Sequence, residues 1–80
     1  MSREKRSITL HGHRTSVALE AEFWQVIDRQ ATTEGQSLAG LIAQMDDERV
    51  LQQSDLGLAA YLRVQALKWV SVQATGGEGF

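Results

Sequence analysis

The spacing of apolar side chains changes character twice along this chain. In "SITL", residues 7–10, Ile8 and Leu10 share one face. Beyond His11-Gly12-His13, the residues Thr15, Val17 and Leu19 share one face, and Arg14, Ser16 and Ala18 share the other. A repeat of two is that of a β-strand, and Thr and Val are good strand residues. The apolar positions pass from even to odd numbers across Gly12, which a regular strand cannot do, so a bulge or turn is required there. From Glu20 the spacing lengthens. Phe23, Trp24, Ile27 and Ala31 form a helical apolar face, with Glu20 and Glu22 where the helix dipole favours negative charge. Gly35 is a natural left-handed stop. Ser37 offers an N-cap for a second helix with Leu38, Leu41, Ile42 and Met45 on one face, running to about Gln52. Ser54 or Asp55 is expected to cap a third helix, whose Leu58, Leu62, Ala66, Trp69 and Val70 form a stripe flanked by Ala59 and Leu67.

The expected organisation is a flexible basic arm over residues 1–6, a domain over 7–74, and a disordered glycine-rich tail over 75–80. The fold class is mainly α with a short β-strand. A lone strand cannot satisfy its own amides and carbonyls, and leaving them unpaired against a core is costly. One solution is the same strand of a second chain, antiparallel about a two-fold axis. The other is an intrachain hairpin that folds residues 7–10 back on 14–19. The pattern leaves both open, as well as their combination.

Size sharpens the first option. The chain has 80 residues, and one this short buries only ~60% of the surface its unfolded form exposes. With no cysteine for disulfides, oligomerisation is the remaining usual way to enlarge the core. The apolar fraction of 42% is ordinary for a folded domain. No long apolar run and no leader-like start are visible, so a cytoplasmic protein that neither spans a membrane nor is secreted is expected.

The net charge of −2 is unevenly spread. Residues 1–16 hold Arg3, Lys5, Arg6 and Arg14 against Glu4, while residues 17–80 hold four basic and nine acidic side chains. A basic N-terminal end on an acidic body suits a protein that meets phosphate with one face. Catalytic and metal readings fare poorly. His11 and His13 share a strand face but have no third ligand at helpful spacing. Asp46-Asp47-Glu48 are consecutive on a helix and point apart, with no base system around them. Ser16 has no arguable triad. No enzyme, no metal and no cofactor are expected.

The stretch "RTSVALEAEFWQVIDRQATTEGQSLAGLI", residues 14–42, resembles a ribbon-helix-helix domain of the Arc/MetJ/CopG type. The likeness lies in the alternating strand, the helix with Phe23, Trp24, Ile27 and Ala31, the turn "EGQS", and the helix with Leu41, Ile42 and Met45 inward. The wider "KRSITLHGHRTSVALEAEFW" is similar to a subgroup of short stand-alone members from alphaproteobacteria, in which a third helix recurs. The resemblance implies an intertwined homodimer with an intersubunit two-stranded antiparallel ribbon, acting as a transcriptional regulator on double-stranded DNA. Arg14, Ser16 and Ala18 would face the bases of the major groove. Ala18 is a departure, because a third polar reader is common in the family. Thr15, Val17, Leu19, Trp24, Ile27, Leu41, Ile42 and Met45 would form the dimer core. Ser37 and Leu38, at the start of the second helix, would meet a phosphate, with Lys5, Arg6 and His13 adding phosphate contacts. The alternative is a protein-interaction module, or an antitoxin-like partner binder, that keeps the fold without specific DNA binding and engages a protein through the third helix.

Overall fold

The computed structural model describes residues 3–74. Strands β1 (Arg3–Leu10) and β2 (His13–Glu20) are followed by helices α1 (Ala21–Thr33), α2 (Leu38–Leu51) and α3 (Leu58–Ala74). The strands form one antiparallel hairpin, pairing Leu10 with His13, Ile8 with Thr15, Arg6 with Val17 and Glu4 with Leu19. The ribbon described is therefore intrachain. Arg3, Glu4, Lys5 and Arg6, expected in an arm, are strand residues. The tail expected over 75–80 lies outside the described residues.

The turn explains the change of parity. His11 and Gly12 both have positive φ, 50° and 81°, as in the type I′ turns that match strand twist. A connection of two residues pairs each even position of β1 with an odd position of β2, and directly paired residues share a face. Ile8 and Leu10 thus join Val17 and Leu19 on the buried side. The helices cover that side. Trp24 and Ile27 of α1, Leu41, Ile42 and Met45 of α2, and Tyr61, Leu62 and Ala66 of α3 complete one core.

Of the eight residues expected in a dimer core, Val17, Leu19, Trp24, Ile27, Leu41, Ile42 and Met45 are buried within the single chain, and Thr15 is half-buried. The cover expected from a partner comes from β1 and α3. Their burial thus requires no second chain.

Helix α1 ends as the glycine predicts. Gly35 sits at φ +67°, with Gln36 N–H donating to Ala31 O and Gly35 N–H to Thr32 O, a Schellman arrangement. Ser37 caps α2, its hydroxyl oxygen accepting from Gly40 N–H at 3.0 Å. Neither Ser54 nor Asp55 caps α3. The Ser54 hydroxyl instead accepts from Leu56 N–H, and the helix begins at Leu58, with Tyr61 N–H donating to Gly57 O.

Helix α2 closes with the same Schellman pattern, but with Gln53 rather than glycine at φ 52°. A left-handed non-glycine residue costs roughly 1–2 kcal/mol, part of which glycine returns as unfolded-chain entropy. Gln53→Gly is expected to raise stability by up to about 1 kcal/mol. A urea unfolding curve checks it, through a higher midpoint at unchanged slope.

Candidate functional site

The hairpin has two chemically different faces. Directly paired residues on the side away from the helices are Thr9 with Arg14, Ser7 with Ser16, Lys5 with Ala18, and Arg3 with Glu20. Thr9, Arg14, Ser7, Ser16, Lys5 and Arg3 are exposed, and Ala18 is half-buried. No large apolar side chain stands there. Among the described residues, neither Lys5 nor Arg14 has an ion-pair partner, so both cations are free to meet an anion.

The single carboxylate on this face is neutralised from two sides. Arg63 Nε of α3 donates to Glu20 Oε1 at 2.9 Å, and Arg3 Nε lies 3.5 Å from Oε2. The Arg63 hydrogen bond, then Glu20's own backbone N–H, hold this carboxyl below the ordinary carboxylate range. A lowered value contributes stability above the ordinary glutamate pKa of ~4.3, and that contribution is lost as pH falls through the folded-state value. Glu20→Gln is therefore expected to be less stable than wild type at pH 7. The difference should shrink as both proteins are taken below about pH 4. Thermal unfolding at both pH values measures it.

The opposite face holds Arg6, and the structure gives it different work from the expected phosphate contact. Its guanidinium donates to Asp28 Oδ1 at 3.0 Å and to Glu4 Oε2 at 2.7 Å, and lies 4.5 Å from the centre of the Trp24 ring. The hydrogen bond to Asp28, outweighing the opposing effect of burial, raises its pKa. Trp24 Nε1–H in turn donates to Glu4 O at 2.7 Å. Arg6 thus fastens β1 to α1. His13 also belongs to this parity, exposed at the hairpin tip.

His11 turns toward α2, its Nε2 lying 3.1 Å from Asp47 Oδ1 and 3.6 Å from Asp46 Oδ2. Arg49 holds Asp46 from the other side at 2.8 Å. No metal-binding group of three or more such side chains exists among the described residues.

At the start of α2, Ser37 is exposed and Leu38 half-buried. The first turn carries no acidic residue, unlike that of α1, which has Glu22. Its positive dipole end and the Leu38 and Ala39 amides, which have no intrahelical acceptor, are thus not offset by a carboxylate.

The structure thus brings Arg14, Ser16, Ala18 and Lys5 onto one face, while Arg6 and His13 are directed elsewhere. Sequence reasoning placed Lys5 in an arm and passed over Arg3, Ser7 and Thr9. Continuing the alternation of 7–10 backward through residues 3–6 would have found them. The ion pair of Arg63 with Glu20 and the approach of His11 to Asp46 and Asp47 join elements distant in the chain, and neither had a local signal.

A ribbon-helix-helix domain family model matches residues 3–70 of this chain. No curated protein matches it. Among solved structures, the chain is similar to an uncharacterized protein from Bordetella pertussis Tohama I, with 34% identity and a TM-score of 0.79. The alignment covers 94% of this chain and 61% of that one, so the chain spans less than two thirds of its length.

Proposed function

Because this chain belongs to the ribbon-helix-helix domain family, we propose that it is a dimeric DNA-binding transcriptional regulator that meets the major groove with the outer face of its hairpin. The observation that carries this reading is the composition of that face. On a protein of net charge −2, it gathers the free cations Lys5 and Arg14 with small polar side chains and no unpaired carboxylate. Arg14 has the donor fork for a bidentate contact to guanine, and Ser16 can bond either kind of base. Lys5 stands directly across from Ala18 and adds a cation to the face beside the methyl that β2 offers. The free amides of α2 at Leu38 and Ala39 add a phosphate site that fixes register without reading sequence.

Dimerisation is supported by the two hairpin edges. Arg3, Glu4, Lys5 and Arg6 place charge along β1, which discourages further strand pairing. Residues 15–19 of β2, "TSVAL", carry none. The unguarded edge of β2 suits antiparallel pairing with its own copy.

A second reading, a protein-interaction module, draws on Val64 and Leu67 of α3, which are exposed. Titration of genomic duplexes across a salt series separates the two. DNA binding that weakens steeply with salt is expected. No binding of any fragment at low salt would leave the interaction module standing.

A further inference from the structure

Resting on that DNA-binding reading, we propose that the two strands of each hairpin have different targets: β2 lies in the groove against the bases, and β1 rides on the phosphate ridges beside it. Strand order sets this division. With β1 guarded by charge and β2 open, two chains join as β1-β2-β2-β1, with the two β2 strands at the centre. Neighbouring strands lie ~4.8 Å apart, so the central pair sits ~2.4 Å either side of the two-fold axis and the outer pair ~7.2 Å from it. The major groove is ~12 Å wide, about 6 Å to each side of its centre line. The central strands fit between the ridges, whereas the outer strands lie over them.

The side chains agree with this division. The outer face of β1 carries Arg3, Lys5, Ser7 and Thr9, two cations and two hydroxyls, all of which are phosphate donors. The outer face of β2 carries Arg14 and Ser16, which suit base edges, and Ala18, which can lie against a thymine methyl. Lys5 is the clearest rim residue, because it is exposed and has no ion-pair partner among the described residues, whereas Arg3 is shared with Glu20. Lys5 therefore supplies affinity, and Arg14 supplies discrimination.

The test is binding of the full chain to two duplexes over a salt series: a genomic fragment selected by the wild type, and a random-sequence duplex of equal length. Lys5→Ala is expected to lower the magnitude of the salt slope by about 2 per dimer, one phosphate contact from each chain. It should weaken both duplexes by the same factor, leaving their affinity ratio unchanged. A changed ratio would overturn the proposal and make β1 a base reader, as when one chain's own hairpin fills the groove. An unchanged slope would also overturn it. If the wild type selects no genomic fragment and binds no duplex at low salt, the DNA-binding premise falls and takes the rim assignment with it. Circular dichroism of Lys5→Ala confirms that the variant is folded, so that a binding loss is not a folding loss.

Discussion

Trp24→Ala is expected to lose most of the stability of the fold. Trp24 is 1% exposed, and deleting a buried tryptophan side chain typically costs about 3–5 kcal/mol. A domain of this size holds only about 4–12 kcal/mol in total, at roughly 0.05–0.15 kcal/mol per residue. The loss here falls at the upper end for a structural reason. The indole also carries the hydrogen bond to Glu4 O and the stacking surface for Arg6, so its removal loosens β1 from α1 as well as opening a cavity. Trp24→Phe is expected to cost less, because it keeps an aromatic ring under Arg6 and loses the N–H donor. Urea unfolding followed by circular dichroism ranks the three proteins. Equal midpoints for wild type and Trp24→Ala would contradict the role assigned to this residue.

The second large effect is on binding. Arg14→Ala removes the best candidate for a bidentate base contact, worth about 1–3 kcal/mol of discrimination per contact. In a symmetric dimer the loss occurs twice, or about 2–6 kcal/mol if the half-sites act independently. Specific affinity should therefore fall by a factor between about 30 and 10⁴, since each 1.4 kcal/mol is tenfold. Binding to a random-sequence duplex should fall much less, by the share of one phosphate-attracting charge per chain. Arg14 is exposed and has no ion-pair partner among the described residues, so stability should barely change. An equal loss on both duplexes would mean that Arg14 contributes charge and reads nothing.

What the chain revealed in advance depended on how local each signal was. The β2 alternation, the helical faces of α1 and α2, the Gly35 stop and the Ser37 cap are all written within a few residues, and each stands in the structure. The break at Gly12 was legible as a change of parity, though a bulge and a turn fit it equally. Residues 3–6 were not legible as strand. "REKR" has poor strand propensity, and its pairing depends on residues 17–20, far along the chain. That miss had a consequence: with only residues 7–10 legible as a partner for β2, an intrachain hairpin and an intersubunit ribbon both stayed open, and the family resemblance pointed to the ribbon between subunits. The start of α3 failed for a different reason. Ser54 is a good capping residue, but its hydroxyl is used in the preceding turn. Of the candidate site, Arg14, Ser16 and Ala18 were readable from β2 alone. The contribution of Lys5 opposite Ala18 came only with the hairpin register.

The most direct measurement maps where DNA touches the chain. A short duplex selected by the protein, titrated at low salt into isotope-labelled protein, should shift backbone amide signals along the outer hairpin face: Lys5, Ser7 and Thr9 on β1, and Arg14, Ser16 and Ala18 on β2. Ser37 and Leu38 should move with them. Signals of the α3 surface around Val64 and Leu67 should remain in place. Shifts confined to α3, or a hairpin left unmoved by a duplex that does bind, would contradict the assignment of the outer face to DNA.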